Sequence, residues 1–132
     1  MNKSILQKIL AFPFWSRQRA LAKIRPPLSE SDFVDWIDHS GGDRGAAAII
    51  YSKLQDWVCH EGFTPYPNDS LGSVFGIAEE ELDEDLILDV IVRLGLSMPP
   101  AREVAAFGAV DTATGIAQLV ALARPTESTG GK

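Results

Sequence analysis

Apolar positions along this chain fall mostly three and four residues apart, the spacing of amphipathic helices. Ile5, Leu6, Ile9 and Leu10 open the pattern. Pro13 interrupts it, Phe12, Phe14 and Trp15 cluster around the break, and Leu21 and Ile24 belong to a second piece. Residues 1–25 therefore read as one or two basic amphipathic helices, stopped by Pro26 and Pro27. Ser29 is a good N-cap with Asp32 three residues on, a capping-box-like start. The helix that follows presents Phe33, Trp36 and Ile37 on one face and ends at Gly41 and Gly42. Asp43 is suited to cap the next helix, expected over 44–61, with Ala47, Ile50, Leu54, Trp57 and Val58 as its core stripe.

From Gly62 to Ser70 the chain is rich in Pro, Asn and Asp and reads as a loop. Leu71, Val74, Phe75 and Ile77 form a short apolar segment, expected as a helical turn. The next helix spans about 79–94, with Leu82, Leu86, Val90 and Leu94 one turn apart and Ile87 and Ile91 widening the stripe. Gly95 closes it, and Pro99 and Pro100 begin a connection. A short helix over Arg102 to Ala106 and a last helix over 112–123, using Ile116, Leu119, Val120 and Ala123, complete an all-α chain. The tail 125–132 is small and polar and is expected to be disordered.

Charge divides this pattern unevenly. Residues 1–26 hold Lys3, Lys8, Arg17, Arg19, Lys23 and Arg25 and no acid. All eighteen acids lie beyond them, with the other six basic residues. The N-terminal part can attract an anionic surface, whereas the body should repel nucleic acid. The 132 residues are enough for one core. The single cysteine, Cys59, rules out an intrachain disulfide and fits a reducing compartment. No apolar run has the length of a membrane span. The stretch Ile9 to Trp15, broken by Pro13 and followed by Arg17 and Arg19, lacks a convincing signal-peptide cleavage site. A cytoplasmic protein is expected, with peripheral attachment at the inner membrane as a reading of the N-terminus.

Three stretches carry a family likeness. Phe75-Gly76-Ile77 precedes the acidic helix as a Leu-Gly segment precedes the second helix of acyl carrier proteins. Leu94-Gly95-Leu96-Ser97-Met98-Pro99 is similar to the carriers' Phe-x-Ile-x-Ile-Pro exit, and Val110-Asp111-Thr112 to the start of their final helix. Residues 44–124 thus resemble an acyl-carrier-like helical domain, closest to small bacterial proteins that lack the phosphopantetheine attachment serine. Residues 1–26 would be a basic N-terminal segment and 27–43 a helical extension. Asp69-Ser70-Leu71 copies the carriers' attachment tripeptide, but it precedes Phe75-Gly76-Ile77 and lies 42 residues before Thr112. The positions where the resemblance places the tripeptide read Glu79-Glu80-Glu81-Leu82. Asp69 and Ser70 are better read as caps of the following turn.

Other candidate chemistry is sparse. Glu79, Glu80, Glu81, Asp83, Glu84 and Asp85 place six acids in seven residues. The first of them favour a helix N-terminus by roughly 0.3–1 kcal/mol each, while later ones repel neighbours one turn away. There is no calcium-loop pattern. Cys59 and His60 are adjacent on the chain, and with His39 they fall short of a zinc ligand set. No phosphate-binding loop and no nucleophile elbow occurs, and Gly72 and Gly76 suit turn geometry. Trp15, Trp36 and Trp57 read as packing groups, Trp15 also as a membrane-interface residue.

The resulting expectation is a non-enzymatic protein-interaction module without cofactor or metal. Glu79, Glu80, Glu81, Glu84, Asp85 and Asp89 would meet a protein with a basic surface. Lys3, Lys8, Phe12, Phe14, Trp15, Arg17 and Arg19 would either touch an anionic membrane or pack on the acidic body. The alternatives are an acyl or peptidyl carrier modified on Ser70 and an immunity or antitoxin-like protein that neutralises a toxin.

Overall fold

The computed structural model describes residues 5–99, 102 and 110–124; the side chains of 5–10, 80 and 83–85 lie outside the description. The described residues are helical and include no strand. Five helices follow one another: α1 Ile5–Ile24, α2 Glu30–His39, α3 Arg44–Leu54, a composite α4 over 79–93, and α5 Ala113–Ala123. The expected short helix at Arg102 to Ala106 and the tail from Pro125 fall almost wholly outside the described residues.

Local chemistry sets most helix starts. Ser29 Oγ accepts from the Asp32 amide at 3.1 Å, Asp43 Oδ2 from Ala46 at 2.9 Å, and Thr112 Oγ1 from Gly115 at 2.9 Å. Each cap satisfies an amide that the first helical turn leaves without a partner. Gly41, at φ +86°, turns the chain out of α2. Gly42 permits the close approach of α5, since a Cβ there would lie 2.8 Å from the Ala117 methyl and 2.5 Å from Ile37 Cγ2.

The core lies where α2, α3, α4 and α5 meet. Phe33, Ile37, Ile50, Leu54, Leu86, Val90, Ile116 and Val120 are all fully buried there. Trp36, expected on the core face of α2, is instead 38% exposed and packs edge-on against Tyr66; Val34 is buried in its stead. α5 is tied to the α2–α3 turn at three points. Asp43 N donates to Ala117 O at 2.9 Å, Gln118 Nε2 to Ser40 O at 2.8 Å, and Arg124 Nε to Asp43 Oδ1 at 2.6 Å. Burial pushes the Asp43 carboxyl up, but the Arg124 side chain and the amides of Ala46 and Gly45 outweigh it and hold the group below its ordinary value.

Of the one or two helices expected over residues 1–25 the structure shows one, while the expected length of α3 is corrected. α1 runs unbroken through Pro13. The ring removes the amide that would bond to the Ile9 carbonyl, and Pro13 itself is exposed. α3 stops at Leu54 instead of reaching residue 61; a tight turn Gln55–Trp57 follows, and Val58 is extended at φ −79° and ψ 117°. The cause is Gln18 of α1, which is fully buried. Its Oε1 accepts from Cys59 N at 2.7 Å and His60 N at 3.2 Å. Its Nε2 donates to Trp57 O at 3.1 Å and to Val74 O at 3.0 Å. Chain that would continue α3 is captured by a side chain 41 residues away.

Further contacts hold α1 on the 57–77 segment. Arg17 donates to Ser73 O. The Phe14 ring lies so close to Gly76, at φ +76°, that a Cβ would meet it at 2.8 Å. Arg25 forms a two-pronged pair with the buried Asp69 carboxylate, at 2.8 and 2.7 Å, and its guanidinium lies 3.8 Å over the Tyr66 ring. Replacing Gln18 by Met keeps the bulk and removes all four hydrogen bonds. With each orphaned buried group costing about 1–3 kcal/mol, Gln18→Met should lose roughly 2–4 kcal/mol in urea unfolding, with partner groups relaxing toward solvent for the rest. A loss under about 0.5 kcal/mol would deny the amide its structural role.

Candidate functional site

α4 is built as three pieces, a first turn Glu79–Glu81, a wide π-type segment Leu82–Ile87, and Leu88–Arg93. Glu81 Oε1 reaches back to accept from Ala78 N at 2.9 Å, so this acid helps to start the helix. Leu82, Leu86, Ile87, Val90 and Ile91 are buried, as the apolar spacing implies, and Leu94 is half-buried at the helix end. The opposite side is less uniform than an acidic surface. Leu88 is 44% exposed and Val92 63% exposed, one helical turn apart. Glu79 is exposed at the start of the same helix. The side chains of Glu80, Glu84 and Asp85 lie outside the described residues.

Asp89 departs from its expected role as an open docking acid. Its Oδ2 accepts from Lys53 Nζ of α3 at 2.7 Å and from Arg93 Nε at 2.8 Å. It is therefore an interhelical pairing group. The Lys53 hydrogen bond leads in holding its carboxyl below the ordinary 3.8, Arg93 adds to this, and desolvation opposes it. Beside this pair an open groove of about 430 Å³ is lined by Ala48, Ile49, Ser52, Lys53, Asp56 and Arg93. The cations at its edge are already engaged by Asp89.

The N-terminal set divides in two. Phe14, Trp15 and Arg17 are engaged with the body: Phe14 with Gly76, Trp15 at 5.6 Å from the His60 ring, and Arg17 with Ser73. Phe12 and Arg19 are exposed. Lys3 lies outside the described residues, as does the side chain of Lys8.

Ser70 caps the turn that carries Leu71 and Val74. Its Oγ accepts from Ser73 N at 3.0 Å and donates to Asp111 Oδ2. Asp111 also accepts from Gly72 N at 3.0 Å and, through its carbonyl, from Leu71 N at 2.7 Å. His39 Nδ1 donates to Asp35 O at 2.7 Å at the end of α2, while His60 Nδ1 accepts from Gly62 N at 3.2 Å in the following loop. Among the described residues no three His, Cys, Asp or Glu groups converge in a metal-holding arrangement. No helix among them is long and apolar enough to cross a membrane.

The described side chains of α4 thus offer apolar burial and negative charge. The exposed aliphatic pair was not singled out by sequence reasoning, which followed only the core stripe. Its signal was present, because Leu88 and Val92 are the apolar residues left over once the inward positions of the repeat are assigned. No family model, curated protein or solved structure matches the chain.

Two outcomes are expected. Because the Asp89 carboxyl is depressed, the folded protein keeps it charged to lower pH than the unfolded chain does. Its stabilisation is complete above the unfolded-chain value and is lost as pH falls through the folded one. Asp89→Asn should therefore lower the urea midpoint at neutral pH, and the difference from the wild type should close below the ordinary 3.8. A pH-independent gap would locate the effect in packing. For Ser70, incubation with a phosphopantetheinyl transferase and coenzyme A should leave the intact mass unchanged, since both roles of the hydroxyl are already filled. A pantetheine-sized gain, lost in Ser70→Ala, would reverse this reading.

Proposed function

We propose that this protein is a non-enzymatic interaction module that docks a partner on the outward side of α4. The observation that carries the reading is the exposed pair Leu88 and Val92 on a helix whose start is crowded with acids. Solvent exposure of two large aliphatic groups one turn apart gives nothing to the folded core. Burying the exposed part of each against a partner contributes roughly 0.7–2 kcal/mol. The acids supply a different quantity. They raise the encounter rate with a basic surface and disfavour acidic competitors. The fitting partner is apolar at the centre of its contact and basic around it.

The likeness to acyl carriers supports the same surface, because their corresponding helix serves as a docking element. Asp89 belongs to the scaffold of this face, holding α4 on α3 through Lys53. Ser70, with its hydroxyl committed to Ser73 and Asp111, takes no part in the proposal.

Site-specific photocrosslinking tests it. A photoreactive residue at Val92, in the full chain in its own cells, should yield a discrete protein adduct. The same group at Asp32 on the exposed side of α2 should not. Leu88→Ser should remove the adduct without moving the melting transition, and raised salt should slow its formation. A toxin in the adduct would specify the partner as that of an immunity protein. No adduct at Val92, or identical adducts at both positions, would sink the proposal.

A further inference from the structure

α1 carries a second exposed surface, of opposite charge. Its inward side is committed to the body through Phe14, Gln18 and Arg25, with Leu21 and Ala22 packed against the core. Its outer flank is not. Phe12, Arg19 and Lys23 are exposed, and their positions fall on one stripe of the helix at steps of seven and four residues. Lys8 occupies the next position of the same register. The stripe is ordered as well as exposed. Phe12 stacks on Trp15 with ring centroids 5.9 Å apart and 24° between planes, and the Arg19 guanidinium lies 5.7 Å from the Trp15 ring. Among the described residues no carboxylate pairs with Arg19 or Lys23. In residues 1–26 there is no acid at all.

We infer that this flank of α1 is a docking surface for an anionic lipid bilayer, which it meets with α1 still held on the body. Three features favour a bilayer over a protein. The stripe from Phe12 to Lys23 lies on one side of one continuous helix, about 16 Å long at 1.5 Å per residue, and suits a plane. Its Phe12 ring is exposed and stacked on the half-buried Trp15, which presents aromatic surface beside the cations. Its cations flank those rings along the same line, so charge and ring reach the interface together. The acidic body sets the orientation. Carboxylates on the other faces are repelled by the same lipids, so the α1 flank is the side that approaches. Because Gln18 and Arg25 keep α1 on the body, the contact is peripheral.

The test is sedimentation of the full chain with vesicles of mixed phosphatidylglycerol and phosphatidylcholine, and of phosphatidylcholine alone, at low and high salt. Binding to the mixed vesicles, weakened by salt, is expected, with little to the neutral ones. Arg19→Gln with Lys23→Gln should lower the partition coefficient about 30-fold, since each basic residue near an anionic surface contributes about a factor of five. Phe12→Ala should lower it by a smaller factor. The three positions are exposed, so a thermal melt of each variant should match the parent and separate lost binding from lost folding. Equal sedimentation with neutral vesicles, an unchanged partition in the double variant, or no sedimentation at all would overturn the inference. Retention on immobilised polyaspartate that the double variant loses, without vesicle binding, would replace the bilayer by an acidic protein.

Discussion

The carboxamide of Gln18 is fully buried and works at both ends, accepting from two consecutive amides and donating to two carbonyls. This geometry needs a neutral group with a donor and an acceptor on one short stem. A carboxylate would face the carbonyls of Trp57 and Val74 with like partial charge, and an ammonium would face the amides of Cys59 and His60. The bonds do more than attach α1. They end α3, turn the chain outward at Val58 and fix where the 57–77 loop begins. Arg25 and Asp69 then hold the same loop further along, with Tyr66 Oη donating to Pro26 O at 2.6 Å. Long irregular chain carries many backbone polar groups that need partners, and α1 supplies several of them.

At the far side of the core, Asp43 has a comparable place. Its side chain caps α3 and pairs with Arg124, while its amide bonds to α5. The start of α5 is in turn bound to the loop, since Thr114 N donates to Pro67 O at 3.1 Å and Asp111 engages Leu71 and Gly72. The loop is therefore gripped by α1 from one side and by α5 from the other. The helices α2 to α5 are joined chiefly by apolar burial, and the loop adds Phe63, Leu71, Val74, Phe75 and Ile77 to the same core while hydrogen bonds and one buried ion pair fix its path.

This division explains which side chains remain for other work. α1 commits one side to the loop and leaves Phe12, Arg19 and Lys23 outside. α4 commits its apolar stripe to the core and Asp89 to Lys53, and leaves Leu88 and Val92 outside. The proposed surfaces are the unspent sides of two amphipathic helices and carry opposite charge. Asp89 and Arg17 show why charge alone is a poor guide to such surfaces. Each belongs to a charged run in the sequence, yet each is held by a group remote along the chain.

What the sequence determined by itself was local. The caps at Ser29 and Asp43, the stop at Pro26 and Pro27, and the turns at Gly41 and Gly95 follow from groups within a few residues of one another. The core stripe of α4 was legible for the same reason, because helical periodicity fixes which residues share a side. The tertiary structure decided the rest. Pro13 is accommodated in a continuous α1 on an exposed position, with Phe14, Arg17 and Gln18 after it held on the body. α3 is short because Gln18 offers its next amides better-placed partners than another helical turn would. Trp36 yields its core place to Val34, and Asp89 becomes an ion pair because α3 brings Lys53 within 2.7 Å. A lone glutamine in a basic helix carries no periodic signal, and neither does a lysine 36 residues from its carboxylate. Their roles exist only once distant segments are packed together, where burial makes each unmet hydrogen bond or charge expensive enough to choose the partner.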